Sequence, residues 1–213
     1  YSTDKRWHVP HFEKMLYDNT ILLIAHTKAY QHTKKECFAD TARRTARYIL
    51  RELTSVDGGC YCGQDADSEG VEGKYYVFTP EEVKTVLGEE NGEEFCRLYD
   101  ITDAGNFEGK SISNRIRSSE DGWDMNDPRL EKLYEYRINR TKLHKDDKIL
   151  LSWNAWAIIA LAKAGQVLEE PSYLDAAIRI HDFIESKMVT EHDRLYLRYR
   201  DGDAAYVGQL EDY

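Results

Sequence analysis

Apolar residues recur at helical spacing along two long stretches of the chain. In the first, Ile21, Leu22, Leu23 and Ile24 make a helix apolar nearly all round, and the next stretch carries an apolar stripe broken by Arg43, Arg44, Arg47 and Arg51. In the second, Trp156, Ile158, Ile159 and Leu161 repeat the all-round pattern, again followed by an amphipathic run. A helix apolar on every side is buried on every side, whereas an amphipathic one covers a surface. The pattern therefore predicts an inner helix followed by an outer one, twice, in hairpins over about 10–54 and 153–190.

The two stretches are copies. At an offset of 135 residues, Asn19 falls on Asn154, Ala25 on Ala160, Lys28 on Lys163, Ala29 on Ala164, Gln31 on Gln166, Asp40 on Asp175, Ala42 on Ala177, Arg44 on Arg179, Ile49 on Ile184 and Tyr61 on Tyr196, without a gap. After each pair comes strand-like sequence. Residues 59–63 precede the run 74–78, and 194–199 precede Asp201-Gly202, which predicts small β-hairpins on one rim. Between the copies lies an insert over about 79–148. Thr79-Pro80-Glu81-Glu82 reads as a capping box with Pro at the first helical position, and Asp127-Pro128 opens a helix to about Lys142. Residues 102–123, rich in Gly, Asn and Ser, form the one long loop expected. Repeated inner and outer helices with hairpins at one end predict an all-α fold, a partial toroid of α-hairpins, in one incomplete domain over 1–213.

Composition bounds the function. The 213 residues hold 29 Lys+Arg against 39 Asp+Glu, for a formal charge of −10, which excludes a basic nucleic-acid-binding domain. Apolar residues at 41% and aromatics at 12% exclude a disordered segment. The longest apolar run, 155–162, is far short of the roughly 18 residues of a membrane span, and no leader pattern opens the chain. The expectation is a protein of the cytoplasm with no membrane partner. Tyr1 at the start and an acidic pair before Tyr213 at the end lead us to expect a piece of something longer. The first quarter is net basic and the acidic excess lies mostly in 55–147, which reads as solvated surface or the rim of a polyol site. Cys37, Cys60, Cys62 and Cys96 make no zinc-ligand spacing and read as buried thiols, so neither metal nor cofactor is expected.

Four constellations carry candidate chemistry. His8-Val9-Pro10-His11-Phe12-Glu13, next to Trp7, packs two imidazoles and a carboxylate into six residues, a set suited to proton transfer or substrate hydrogen bonding. Asp65-Ala66-Asp67-Ser68-Glu69-Gly70 opens like a calcium loop but has Tyr76 where the twelfth-position carboxylate belongs, so the EF-hand reading fails. What survives is a carboxylate turn able to grip sugar hydroxyls or a loosely held cation. Gly105 to Ser111 is one residue short of a phosphate loop and follows no buried strand, so its glycines read as turn geometry. Asp147, Trp153 and Asn154 lead into the second inner helix and Asp18 into the first. Carboxylate, amide and indole groups at equivalent helix entrances fit a carbohydrate, whose hydroxyls bind Asp and Asn and whose C–H faces stack on Trp.

The runs Arg6-Trp7-His8-Val9-Pro10-His11-Phe12-Glu13-Lys14-Met15-Leu16-Tyr17-Asp18, Asp65-Ala66-Asp67-Ser68-Glu69 with Glu72-Gly73-Lys74-Tyr75-Tyr76, Gly105-Asn106-Phe107-Glu108-Gly109-Lys110, and Asp146-Asp147-Lys148-Ile149-Leu150 with Ser152-Trp153-Asn154 resemble the spermatogenesis-associated protein 20-like family, YyaL type. The resemblance covers essentially the whole chain. It implies a thioredoxin-like domain followed by an (α/α)6 toroid similar to N-acylglucosamine 2-epimerases and six-hairpin glycosidases, of which this chain looks like the first part. The thioredoxin-like domain and the closing hairpins are then absent. It further implies sugar or polyol chemistry, with His8, His11, Glu13 and Asp67 as acid/base candidates and Trp7, Asp18, Asp65, Asp147, Trp153 and Asn154 as substrate contacts. The expected partners are a small sugar or polyol and the protein's own thioredoxin-like domain, with self-association through inner-helix faces left open. A non-catalytic scaffold serving the thioredoxin-like domain is the rival reading.

Overall fold

The structure is a computed structural model describing residues 1–117, 124 and 126–213. The last part of the loop expected at 102–123 lies outside the described residues. The helices are α1 (Leu16–Thr33), α2 (Glu36–Tyr48, prolonged by a π-helical turn over Ile49–Leu53), α3 (Pro80–Leu87), α4 (Glu89–Leu98), α5 (Pro128–Arg140), α6 (Leu151–Leu168) and α7 (Pro171–Lys187). The short strands are β1 (Lys14–Met15), β2 (Gly63–Gln64), β3 (Asp67–Ser68), β4 (Val71–Glu72), β5 (Val77–Phe78), β6 (Ser111–Ile112), β7 (Lys145–Asp146), β8 (Ile149–Leu150), β9 (Tyr196–Arg200) and β10 (Asp203–Val207). The architecture is thus helical hairpins with small β-ribbons. Among the described residues no helix is long and apolar enough to cross a membrane. The chain divides into two compact units, Lys14–Gln64 with Lys145–Tyr213, and Tyr1–Glu13 with Asp65–His144.

The unit of Lys14–Gln64 and Lys145–Tyr213 holds both copies of the repeat. Inner helix α1 packs on its outer partner α2 and on the other inner helix α6, which packs on α7. Leu16, Leu23, Ile49, Leu53, Leu161, Ile180, Phe183 and Met188 fill the core, with alanines where helices approach closely. The repeat extends to backbone detail. Each inner helix has 18 residues, and each ends on a left-handed residue, Lys34 and Glu169, both at φ 58°, which stand 135 positions apart. Each also begins directly from a strand, with no side-chain cap. Backbone supplies that cap for α1, where the Leu16 N–H donates to the Cys62 carbonyl at 2.7 Å.

Two expectations are corrected in this unit. The inner helices are not buried on all sides: Ile21, Leu22, Trp156 and Ile159 are about half exposed, because each helix has neighbours on only part of its circumference. The run 59–63 also makes no hairpin with 74–78. Gly63–Gln64 sits at the centre of the ribbon β1-β2-β7, while Val77–Phe78 pairs with Ser111–Ile112. Alternation marks a strand but does not name its partner. The hairpin at Asp201-Gly202 forms as read, β9 pairing with β10 through two left-handed residues, with β8 added to its other edge.

The unit of Tyr1–Glu13 and Asp65–His144 is built on α3, α4 and α5 around Phe78, Val83, Leu87, Phe95, Tyr99 and Leu133. Its helix starts follow the sequence. The Glu82 amide donates to Thr79 Oγ1 at 3.2 Å while the Thr79 amide donates to Glu82 Oε2 at 2.9 Å, and Asp127 accepts from the Arg129 amide at 2.9 Å. Glu82 also holds Arg140 Nη1 at 2.9 Å, which ties the start of α3 to the end of α5. The Gly105–Ser111 segment is turn geometry, not a phosphate cradle: Asn106 clamps both backbone groups of Ile112, at 2.7 and 3.0 Å, and Phe107 packs into an aromatic cluster.

Candidate functional site

The candidate residues divide between the two units. In the unit of Tyr1–Glu13 and Asp65–His144, Phe12 is buried, stacked on Tyr76 at 5.5 Å and edge-on to Phe107 at 5.3 Å. Gly73 makes room for it, since a Cβ there would lie 2.7 Å from the Phe12 ring. In an extended segment alternate side chains point to opposite sides, so burying Phe12 turns its two neighbours out together. His11 Nε2 and Glu13 Oε2 lie 3.3 Å apart, and the Tyr1 ring stacks on the imidazole at 4.9 Å. An imidazole paired with a carboxylate in partial contact with water is a competent proton-transfer couple.

His8 belongs to the same segment. Its amide donates to Asp4 Oδ1 at 3.0 Å, within a loop closed by the Thr3 amide on the Val9 carbonyl at 2.8 Å. Trp7 stands on that loop in a left-handed conformation, φ 63°, with 76% of its surface exposed. A bulky residue at positive φ is strained, and such strain concentrates where a side chain must be presented.

The acidic turn is a two-residue hairpin. Glu69 and Gly70, both left-handed, join β3 to β4, so Asp67 stands directly opposite Glu72. Two carboxylates therefore face each other across one side of the ribbon. Asp65 sits just before it, its Oδ1 3.5 Å from the Asp67 amide. Lys74 pairs with Glu69. Among the described residues no three His, Cys, Asp or Glu side chains converge as a metal set would require.

In the unit of Lys14–Gln64 and Lys145–Tyr213 the two helix entrances stand together. The Tyr17 and Trp153 rings meet edge to face at 4.8 Å. Asp18 lies exposed in the first turn of α1, where its charge favours the helix dipole. Asp147 Oδ1 is 2.8 Å from Arg200 Nε, and with Asp57 it adds to burial in pushing the Tyr61 hydroxyl up. Asn154 is placed differently from its expected role. It is fully buried, and its carboxamide is spent on the Cys60 amide at 2.7 Å, the Cys60 carbonyl at 2.9 Å and the Leu150 carbonyl at 2.8 Å. Burial raises the neighbouring Cys60 thiol to about 11, and burial with Asp146 raises Cys62 to about 12, so neither is a nucleophile at neutral pH.

One direction is open on both inner helices. Tyr17, Ile21 and Lys28 mark it on α1, and Trp156 and Lys163 take the positions of Ile21 and Lys28 on α6. Tyr17, Ile21, Lys28 and Trp156 are exposed on this face, and Lys163 is half-buried.

No family model matches the chain. The human protein Spermatogenesis-associated protein 20 is 33% identical over 88% of it. The chain belongs to the spermatogenesis-associated protein 20 family. It spans 28% of that relative's length. Among solved structures it is similar to cellobiose 2-epimerase from Spirochaeta thermophila, at 14% identity and a TM-score of 0.29 over 97% of this chain and 50% of that one. It is also similar to D-mannose isomerase, at 13% identity and 0.28 over 88% and 45%.

Three features of this family member escape sequence reading. Trp156 looks like core in an all-round apolar helix, and only its exposure makes it a candidate. Tyr17 is one position out of step with its partner Trp153 under the repeat, so the offset does not pair them. The Asp147–Arg200 contact joins positions far apart in sequence, and nothing in either motif signals it.

Proposed function

We propose that the chain contributes a carbohydrate- or polyol-binding surface to a longer cytoplasmic protein with a thioredoxin-like domain, and that its exposed acid/base groups serve chemistry of the epimerase or glycosidase kind. The observation that carries the binding half is the face left open on both inner helices, with Tyr17 and Trp156 exposed on it and Trp153 against Tyr17. Aromatic surface of this kind takes the C–H face of a sugar ring. The chemical half rests on the His11–Glu13 couple, with His8 and Asp67 as further groups. Fold alone does not fix function, so these side chains carry the proposal.

The second reading is a non-catalytic scaffold serving the thioredoxin-like domain. It draws on Asn154, whose amide is consumed internally. Titrating sugars and sugar alcohols into the full-length protein and its Trp156→Ala variant tests the binding half, and assaying turnover of any ligand found separates the two readings, since a scaffold that binds a protein or glycan turns over none of them.

A further inference from the structure

The two copies of the repeat agree in their β-ribbons as closely as in their helices. Lys14 pairs with Gln64 and Met15 with Gly63, and 135 positions on, Ile149 pairs with Tyr199 and Leu150 with Arg198. The third strand follows suit. Lys145 stands opposite Gln64 and Asp146 opposite Gly63, as Ala204 stands opposite Tyr199 and Ala205 opposite Arg198. The tips differ. In copy two Arg200 faces Asp203 across the two-residue turn Asp201-Gly202. In copy one the Asp65 amide donates to the His144 carbonyl at 3.0 Å in the same row, and residues 66–143 take the place of the turn. A hairpin tip tolerates such an insertion because the two ends stay adjacent. Asp65–His144 is therefore a module inserted into the first ribbon, with the core of α3, α4 and α5 as its own.

What the module does shows in the segment ahead of each inner helix. Both copies pair side chains two positions apart there, His11 Nε2 with Glu13 Oε2 at 3.3 Å and, at the equivalent positions, Asp146 Oδ2 with Lys148 Nζ at 2.7 Å. The residue between them differs in kind. Phe12 is 1% exposed, whereas its equivalent Asp147 is half-buried. The rings packed on Phe12 are those of Tyr76 and Phe107, and the space for it comes from Gly73, all three within the insertion. Without that seat a phenylalanine would leave its ring in water, and copy two, which has no insertion, carries none there.

We propose that the inserted module positions the proton-transfer couple: Tyr76 and Phe107 hold Phe12, and Phe12 turns His11 and Glu13 to the opposite side, within reach of each other. Tyr76 and Phe107 act through Phe12 and are positioning residues. The inference rests on the proton-transfer reading of His11 and Glu13.

The ring resonances of His11 test it, in full-length protein isotope-labelled at histidine and assigned with His11→Gln. Glu13→Gln shifts these signals in the otherwise wild-type protein. In a Phe107→Ala background the same substitution leaves them where they were, because the couple is already parted. Phe95→Leu, in the module's other cluster, keeps the Glu13-dependent shift, which separates positioning from a general loosening of the module. Circular dichroism shows folded helices in each variant. A Glu13-dependent shift that survives Phe107→Ala overturns the proposal, and so does its loss in Phe95→Leu. In any sugar turnover by the full-length protein, Phe107→Ala lowers kcat about tenfold or more at unchanged KM. Absence of turnover would sink the proton-transfer reading while the resonances still decide the positioning, so the two fail separately.

Discussion

Asn154 brackets Cys60 from 94 positions away, accepting from its amide at 2.7 Å and donating to its carbonyl at 2.9 Å. Its repeat counterpart Asn19 keeps just the local half of this pattern, Nδ2 donating to the Met15 carbonyl at 2.7 Å, as Asn154 donates to the Leu150 carbonyl. Replacing Asn154 by Ala leaves two backbone groups buried without partners, a loss of about 2–4 kcal/mol. Asn19→Ala, at a half-buried position, costs roughly 0.5–1 kcal/mol. Urea unfolding of both variants gives the comparison, and equal losses would contradict the bracket.

Acid weakens the unit that holds Glu82. Burial pushes its carboxyl up, but the Thr79 amide and the Arg140 guanidinium outweigh burial and hold it below the ordinary 4.5. The Arg129 guanidinium likewise lowers Asp127 below 3.8. A group whose folded value is depressed stabilises the fold fully above its unfolded value, and that stability is lost as pH falls through the folded one. Stability should therefore drop below about pH 4.5. Glu82→Gln should be weaker at neutral pH and show a shallower acid loss. Melting curves from pH 7 to 2 test this, and an unchanged acid slope refutes the assignment.

The thiols should fall into two classes. Cys37 is exposed, while Cys60, Cys62 and Cys96 are buried and free. At pH 8 the raised values of Cys60 and Cys62 leave on the order of a thousandth or less as thiolate. Native alkylation should modify Cys37 fast and the other three only at the rate of unfolding, with all four labelled in denaturant. Rapid native labelling of Cys60 would contradict the packing.

At Asp67 the proposed role and the stability of the ribbon can be tested by one substitution. It faces Glu72 across the β3–β4 ribbon, where like charges destabilise by a few tenths to about 1 kcal/mol. Asp67→Asn should raise the melting temperature. If Asp67 serves proton transfer, the same change removes turnover. A lower melting temperature would mean that the carboxylate holds structure instead.

The repeat was legible because both copies retain identities in one ungapped register, buried in both at Ala42 and Ala177 and at Ile49 and Ile184 and exposed or half-buried in at least one copy elsewhere, and their helix ends agree down to the left-handed Lys34 and Glu169. Capping of α3 and α5 was legible because its determinants lie within four residues. Pairing was not: Gly63–Gln64 takes partners at Lys14–Met15 and Lys145–Asp146, and no local signal encodes such distant neighbours. The site was legible in residue type more than in role. His11 and Glu13 pair because a single buried phenylalanine sets their alternation. Asn154, read as a sugar contact, is an internal bracket, and Trp156, read as core, is exposed. Those reversals turn on which flank of a helix has a neighbour, which a single copy of the pattern does not reveal.

The carbohydrate reading stands on the open aromatic face. Isothermal calorimetry of the full-length protein against monosaccharides, disaccharides and sugar alcohols should find at least one ligand, with affinity falling about tenfold or more in Trp156→Ala, a loss of about 1.4 kcal/mol or more, at unchanged melting temperature. No binding across the panel, or binding that Trp156→Ala leaves intact, would contradict it.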